Sequence, residues 1–470
     1  MRSSFTTLIF AGCLLFASVP LRAAPEDTTA DAVLGQADFT TNLPNQGGAA
    51  SAATMKGNRG VLVDKDGRLW VADSENNRVL RFADAATIAN GAGAELVLGQ
   101  ADLSSVFPNR ADPGVINNPL PTANTLTDPR SVAMDQDGRL FVADSGNKRV
   151  LRYDPPFATG MNAVQVFGQN GSFTTKTPAN LGAATADNLG NPDGVAVDSA
   201  GNLYVADLFQ KRVLIFNTPA AAGGDTTADI VIGQPNLTSD GANQGGANPT
   251  EKTLFNPEGV AIDAQDNLYV ADQENHRVLL FLKPLSTNMS ASRVFGQPNF
   301  TTGTAADPPT ASSMSIPVAV AVDPKSGNLY VADSGNNRIL EFADPQNDSV
   351  ADRVFGQGGD FTTKTVNTGG ISADSISDVG GVACDANGNL FCGDRNNNRA
   401  LRFNVAPPPQ DPGGGNTGGD NMQQMDQTAC GLCGPGMAAI MPMMLLGWVS
   451  MKRRMGRSSG ADGRASHHCG

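Results

Sequence analysis

Histidine is scarce in this chain of 470 residues: it occurs three times, and His276 alone lies outside the last four residues. A zinc site takes several side-chain ligands, so one imidazole cannot supply a zinc lyase site of the peptide-amidating kind. Residues 31–404 also lack a Gly-x-Ser-x-Gly elbow, a P-loop and a dinucleotide-binding glycine motif. We therefore predict no catalytic residue, no metal and no cofactor, and a non-enzymatic role is favoured.

Aspartate and arginine recur six times at one spacing, with each arginine five residues after its aspartate across a short turn. An Asp and an Arg that flank one turn can form an ion pair that fixes it. A single active site would not need six copies, so we predict a structural role. The alternative is a ring of carboxylates that binds a cation in a channel. The residues are Asp73, Asp144, Asp207, Asp272, Asp333 and Asp394 with Arg78, Arg149, Arg212, Arg277, Arg338 and Arg399.

Residues that depart from this pattern are better candidates for a ligand-binding site. The third copy replaces the polar turn with Leu208, Phe209 and Gln210, and the fourth carries Glu274 and His276. We take Phe209, Glu274 and His276 as candidate ligand-binding residues. The alternative for the histidine is a solvated side chain in a turn.

The aspartates and arginines belong to a motif of 23 to 25 residues that recurs every 61 to 71 residues. Each copy contains three runs rich in Val, Leu and aromatic residues, separated by Asp, Gly and Asn, which predicts three antiparallel strands. A further short apolar run ending in Gly-Gln follows each of the first five copies and also precedes the first. The copies span residues 60–82, 131–153, 194–216, 259–281, 318–342 and 381–403.

Four strands per copy predict an all-β protein, a six-bladed β-propeller with four antiparallel strands per blade. The chain begins with a lone fourth-type run at Val33, and its last copy ends at Phe403 without one. We expect the N-terminal strand to pair with the last copy and close the ring, which removes the open sheet edges.

The wording of the motif points to a known repeat. It reads Asn-Pro-x-Gly-Val-Ala-Val-Asp, then Asn-Leu-Tyr-Val-Ala-Asp, then Asn-x-Arg-Val-Leu-x-Phe, and it resembles the NHL repeat over residues 31–404. The resemblance implies a propeller, a fold that serves as a binding platform and, in other families, as a lyase or lactonase.

The strand order also predicts which loops share a face. If the strands of a blade run outwards from the axis, the turn between the second and third strands lies on the same face as the long crossover to the next blade. We expect any ligand site there. One apolar residue recurs in every crossover and predicts packing: Phe39, Leu103, Phe173, Leu237, Phe300 and Phe361.

Two cysteines occur in the sixth copy alone, on the first two strands of one hairpin. The even separation of Cys384 and Cys392 allows both side chains onto one face, and an oxidising compartment would let them join. We predict a disulfide between them. The alternative is that they are two small core residues.

The two ends of the chain carry segments of a different kind. Residues 1–24 combine Arg2, an apolar run and small residues, which indicates a secretory signal peptide. Residues 405–429 are rich in Pro and Gly and predict a disordered linker. Residues 430–454 hold Cys430 and Cys433, a hydrophobic span and a basic cluster, followed by a polar tail at 455–470.

The segment at 430–454 resembles the three-part C-terminal sorting signals of bacterial surface proteins. The resemblance makes Cys430 and Cys433 candidate processing residues, whereas a plain transmembrane anchor is the alternative. In either case the basic cluster would face the cytoplasm and the propeller would lie outside.

The net charge of the chain limits the class of partner that it can bind. The formal net charge is −13, and the two ends carry seven basic and four acidic residues, so −16 remains on residues 25–404. Such a surface repels phosphate backbones and argues against nucleic acid. We expect an exported, membrane- or surface-anchored scaffold that binds a protein, peptide or glycan. The alternatives are a hydrolase or lyase with a metal ion in the central channel, and a structural spacer.

Overall fold

The computed structural model describes residues 28–110, 120–176, 183–221 and 224–404. Within these ranges the chain forms 24 β-strands in six four-stranded antiparallel sheets, and the sheets are the blades of a six-bladed β-propeller. No helix in the same ranges has the length and apolar character to cross a membrane. The predicted signal peptide, linker, segment 430–454 with Cys430 and Cys433, and polar tail lie outside the described residues.

The strands follow one order in every blade. Blades 1 to 3 contain β2 Val61–Val63, β3 Leu69–Asp73, β4 Arg78–Phe82 and β5 Leu96–Leu98; β6 Pro129–Met134, β7 Leu140–Asp144, β8 Arg149–Tyr153 and β9 Gln165–Phe167; β10 Pro192–Val197, β11 Leu203–Asp207, β12 Arg212–Phe216 and β13 Ile230–Ile232. Blades 4 and 5 contain β14 Pro257–Ile262, β15 Leu268–Asp272, β16 Arg277–Phe281 and β17 Arg293–Phe295; β18 Pro317–Val322, β19 Leu329–Asp333, β20 Arg338–Phe342 and β21 Arg353–Phe355. Blade 6 contains β22 Val379–Cys384, β23 Leu390–Asp394, β24 Arg399–Phe403 and β1 Ala32–Leu34.

A short 3₁₀ turn joins the second and third strands of every blade and ends on a residue in the left-handed region. Asparagine, which tolerates this conformation, occupies that position in blades 1, 5 and 6. These turns are Ser74–Asn76, Ser145–Asn147, Leu208–Gln210, Gln273–Asn275, Ser334–Asn336 and Arg395–Asn397. Four more lie in the crossovers: Pro44–Gly47, Pro108–Arg110, Gln169–Gly171 and Ala242–Gly245.

The ring closes as the order of the motifs predicts. Strand β1 pairs antiparallel with β24, and Val33 lies opposite Leu401. The pairing extends beyond the strands, since the backbone N–H of Asn404 donates to Asp31 Oδ2 at 2.7 Å. Both ends of the propeller therefore belong to one sheet.

The hydrophobic core is divided among the interfaces between adjacent blades. Each hydrophobic cluster mixes side chains from two adjacent blades, which is why the second strands are buried on both faces. Between blades 5 and 6, for example, the ring of Phe355 stacks edge-on against Phe403 with centroids 5.2 Å apart. Every blade thus needs both neighbours to bury its apolar faces.

The first strands of the blades line the central channel and approach one another closely at small residues. A Cβ on Gly194 would lie 2.3 Å from the carbonyl oxygen of Glu258 in the next blade, and a Cβ on Gly259 would lie 2.6 Å from Cα of Ala319. A cavity of about 240 Å³ remains between these strands. Glycine is required at these two positions because a side chain would overlap the backbone of the next blade.

Candidate functional site

The recurring aspartates and arginines form ion pairs in all six blades. Each arginine Nε lies between 2.6 and 3.4 Å from Oδ2 of its aspartate, and both side chains are fully buried. The second oxygen of each carboxylate accepts a backbone N–H from the crossover, as Asp73 Oδ1 does from Lys56. These carboxylates are therefore engaged inside the blades, and the alternative of a cation-binding ring around the channel is not supported.

Each arginine also joins its blade to two crossovers. Arg78 Nη2 donates to the carbonyl oxygens of Ser51 and Thr54 in the crossover before the blade, and Nη1 donates to Leu103 in the crossover after it. The equivalent acceptors in the other blades are the carbonyl oxygens of Phe39, Phe173, Leu237, Phe300 and Phe361. The side chains of these six residues pack against the interblade clusters, so the packing role predicted for them matches the structure.

His276, a candidate ligand-binding residue, occupies the left-handed position after its turn, and its Nδ1 accepts the backbone N–H of Ile316 at 3.1 Å. The side-chain oxygens of Asn77 and Asn337 accept the equivalent N–H groups in blades 1 and 5. The histidine therefore replaces an asparagine as a backbone acceptor between two blades.

The other two candidates lie on the crossover face. The ring of Phe209 is 51 % exposed, with Lys148 Nζ 5.2 Å from its centre. Glu274 is exposed in the turn of blade 4. Neither side chain lines the cavities at the axis.

The structure shows a set of unlike residues that the sequence analysis passed over. Each lies immediately before the small residue (Gly, Ser or Ala) at the start of the first strand of its blade. This position is at the end of the central channel on the face that carries the crossovers, and we call that end the channel mouth. In the repeat this is the position written x. In blade order the residues are Arg59, Arg130, Asp193, Glu258, Val318 and Gly380.

Arg59 and Glu258 belong to opposite blades and meet at the channel mouth, where Arg59 Nη1 lies 3.1 Å from Glu258 Oε1. The second oxygen of Glu258 accepts from Gln273 Nε2 at 2.6 Å. In the neighbouring pair, Arg130 Nη1 donates to Asp193 Oδ2. The mouth therefore carries cations on blades 1 and 2 and carboxylates on blades 3 and 4.

Burial perturbs these charges. Glu258 is 5 % exposed, and its burial, together with the charge of Asp193, raises the pKa of this carboxyl to about 8. Burial lowers the pKa of Arg130, but Asp193 and Asp128 outweigh it and the pKa is raised. Burial and the neighbouring carboxylate therefore disfavour the charged form of Glu258, although Arg59 and Arg130 lie close to it.

A cavity of about 300 Å³ opens at the mouth on the side of blades 5 and 6. It exists because Val318 and Gly380 leave space where the other blades carry long side chains. Its polar lining consists of Arg59, Glu258, Gln273, Ser334, Asp378 and Arg395, and its apolar lining includes Ile316, Val318 and Val379. Such a recess can hold a small polar group or one side chain of a larger ligand.

The disulfide predicted for blade 6 is not formed in the structure, since Cys384 and Cys392 are both free thiols. The two residues are on one face of the sheet, as the even spacing requires. However, Cys384 pairs with Leu390 and Cys392 pairs with Val382, so the cysteines are diagonal rather than opposite. Cys392 is fully buried in the cluster between blades 5 and 6, where it acts as a small core residue.

In the described ranges, no three His, Cys, Asp or Glu side chains are grouped so that they could hold a metal ion. The acidic residues of the mouth are each engaged with arginine, amide or hydroxyl donors.

Comparison with known protein families finds a match to one repeat family. The model of the NHL repeat matches residues 59–82, 126–153, 256–281 and 314–342, which belong to blades 1, 2, 4 and 5. No curated protein matches the sequence.

Several solved structures are similar over most of the chain. A streptogramin B lyase structure has 12 % identity and a TM-score of 0.42, covering 78 % of this chain and 97 % of its own. An inactive virginiamycin B lyase from Staphylococcus aureus with quinupristin has 9 % identity and a TM-score of 0.39, covering 79 % and 97 %. A nidogen/laminin complex has 18 % identity and a TM-score of 0.37, covering 63 % and 79 %. At these scores the likenesses carry no argument about activity. The chain is a six-bladed β-propeller, and four of its six blades match the model of the NHL repeat.

Proposed function

We propose that this protein is a binding module and that its ligand enters the channel mouth on the crossover face. The observation that carries the proposal is the ring of six unlike residues at the channel mouth, one from each blade. Six copies of one scaffold differ here, and four of the differing residues, Arg59, Glu258, Val318 and Gly380, line one cavity of about 300 Å³. Recesses with a few convergent polar groups and perturbed pKa values are the usual location of a ligand site.

The chemistry of the mouth suits recognition better than catalysis. Arg59, Glu258 and Gln273 bind one another, and Asp378 binds Arg395 and Ser334, so each polar group already has a partner. The one hydroxyl among these, Ser334 Oγ, donates to Asp378, whose charge is held by Arg395, and no histidine or lysine is among the described residues that line the cavity. The ligand would exchange hydrogen bonds with this network, as a peptide or glycan with charged groups can do.

The location of the module follows from its two ends and is part of the proposal. We propose that residues 1–24 direct export and that residues 430–454 attach the propeller to the membrane or cell surface, with the propeller outside. Fractionation of cells and protease shaving of intact cells test this. Release of the propeller by protease supports it, and protection of the propeller until the cells are lysed contradicts it.

The binding site is tested by a screen of peptides and glycans against the full-length protein, followed by matched variants. Arg59→Ala removes a cation from the mouth, whereas Arg68→Ala removes one from an exposed turn at the opposite end of the same blade, where it pairs with Asp66. We expect Arg59→Ala to change the affinity for a ligand bound at the mouth by about tenfold, downward for an anionic ligand and upward for a cationic one, and Arg68→Ala to leave it unchanged. Equal affinities for all three proteins would place the ligand elsewhere.

A further inference from the structure

The cavity at the channel mouth combines two carboxylates with an apolar wall, and this combination indicates the chemistry of the ligand. We propose that it binds an alkylammonium group, supplied by a lysine side chain of an extended peptide, between the carboxylates of Glu258 and Asp378. This inference rests on the proposed binding function and specifies its ligand class.

Each of the two carboxylates has one cationic and one neutral partner. Glu258 accepts from Arg59 and from the amide of Gln273. Asp378 accepts from Arg395 Nη1 at 3.1 Å and from the hydroxyl of Ser334. An ammonium group brings three donors, and it can take the place of the neutral donors, whose amide and hydroxyl oxygens then become acceptors for it.

The wall of the cavity fits a hydrocarbon stem. Ile316, which is 38 % exposed, and to a smaller extent Val318, which is 8 % exposed, contribute apolar surface next to the carboxylates. A lysine keeps its methylene stem on such a surface while its charged end reaches polar groups. An amino sugar has the ammonium group but no comparable stem, so the wall favours a peptide.

Ile316 is held in a conformation that its side chain disfavours. Its φ is 53°, in the left-handed region, which is unusual for a β-branched residue. Asp128, Asn256 and Asp378 occupy the same position in blades 2, 4 and 6 and adopt this conformation more readily. An isoleucine that is strained and 38 % exposed at the edge of a cavity indicates that its apolar side chain has a use there.

The electrostatics favour a cation over an anion. Residues 25–404 carry a net charge of −16, which attracts cationic ligands at long range. Within the mouth, the groups facing Glu258 are Arg59, Arg130, Asp193 and Asp378, and burial with Asp193 still disfavours its charge. An added cation relieves this imbalance, whereas a carboxylate ligand would have to compete for arginines that already hold carboxylates.

The test measures binding of a fluorescent, terminally blocked pentapeptide with one central lysine to the full-length protein. The same peptide with Nε-acetyl-lysine and an oligomer of glucosamine serve as comparison probes. At pH 9, where Glu258 is ionised although its pKa is raised to about 8, we expect Glu258→Gln and lysine acetylation each to weaken binding by about tenfold or more. Glu95→Gln, which changes an exposed acid next to the outermost strand of blade 1, where it pairs with Arg81, is the matched control and should change the affinity less than twofold.

A second variant separates ligand contact from folding. Ile316→Asn places in blade 5 the residue type that blade 4 carries at the same position, so the fold should be as stable as before or more stable. If the stem of the lysine packs on Ile316, affinity falls severalfold in this variant while the melting temperature is kept or raised. A variant that binds the lysine peptide as the natural sequence does contradicts the proposal.

The remaining outcomes are distinct. Glu258-dependent binding of the glucosamine oligomer without the peptide overturns the assignment to lysine. Equal binding of lysine and acetyl-lysine peptides, lost in Arg59→Ala, overturns the ammonium site and leaves the binding function intact. If neither a peptide nor a glycan binds in a manner that depends on the mouth residues, the proposed function itself fails.

Discussion

Replacing Arg399 by alanine should destabilise the propeller more than any surface change of the same kind. Arg399 pairs with Asp394 at 2.8 Å, and both side chains are fully buried. Its Nη1 donates to the carbonyl of Phe39, and its Nη2 donates to the carbonyls of Ser372 and Ser375. The substitution therefore leaves one buried carboxylate without its cation and removes one donor from each of three carbonyl oxygens, of which that of Ser372 keeps the hydroxyl of Ser375.

The magnitude follows from these losses. Removal of one partner of a buried ion pair costs about 3 to 5 kcal/mol, and each unsatisfied buried acceptor costs about 1 to 3 kcal/mol when no water reaches it. These terms do not add fully, because they belong to one network. We expect Arg399→Ala to lower the free energy of unfolding by at least about 3 kcal/mol. The double variant with Asp394→Asn should recover part of this loss, since the unpaired charge is then absent.

The assay is urea denaturation of the full-length protein, followed by circular dichroism and by the fluorescence of Trp70, which is fully buried in blade 1. Arg68→Ala is the control, because that arginine pairs with Asp66 on the surface and should change stability by less than about 0.5 kcal/mol. If Arg399→Ala shifts the midpoint no further than Arg68→Ala, the reasoning about the buried pairs is refuted.

Three further expectations concern packing, protonation and thiol chemistry. Gly259→Ala should cost about 2 kcal/mol because its Cβ meets the next inner strand, whereas Gly48→Ala, whose Cβ has 3.8 Å to its nearest neighbour, should be nearly neutral in the same denaturation assay. Folding keeps a proton on Glu258 that the unfolded chain releases, since the pKa is raised from 4.5 to about 8. The stability of the natural protein should therefore fall as pH rises between these values, by up to about 1.4 kcal/mol per pH unit, and Glu258→Gln should flatten the profile. Cys392 should remain unmodified by iodoacetamide in the native protein, because burial raises the pKa of its thiol, and peptide mapping should show no bridge between it and Cys384.

The repeat made most of the fold predictable. Six copies with one spacing imply six blades, and the unpaired run at Val33 implies closure, because an open edge would otherwise remain. The same logic predicted the Asp–Arg pairs, although it did not show that each arginine also holds the crossovers before and after its blade. Each of those contacts joins an arginine to a residue about 25 positions before or after it in the chain, so the local sequence pattern does not indicate them.

The candidate site was harder to predict, because rarity was a misleading guide. His276 is rare, yet it performs the task that asparagine performs in other blades. Arg59 and Glu258 are common residue types at a variable position, and they are 199 residues apart. The two side chains meet because blades 1 and 4 face each other across the ring. This contact can be recognised from the sequence only by aligning the six copies and comparing the variable position in blades on opposite sides of the axis. The disulfide was predicted from spacing without the strand register, and the register makes the two cysteines diagonal.

The pairing of β1 with β24 has a mechanical consequence. The chain enters β1 at Ala32 and leaves β24 at Phe403, and these points lie at the same end of an antiparallel pair. Tension between the two termini would therefore load the hydrogen bonds of this pair one after another, as in a zipper, rather than all at once in shear. The closing pair should thus give way at a lower force under pulling between the two ends than a pair of strands loaded in shear.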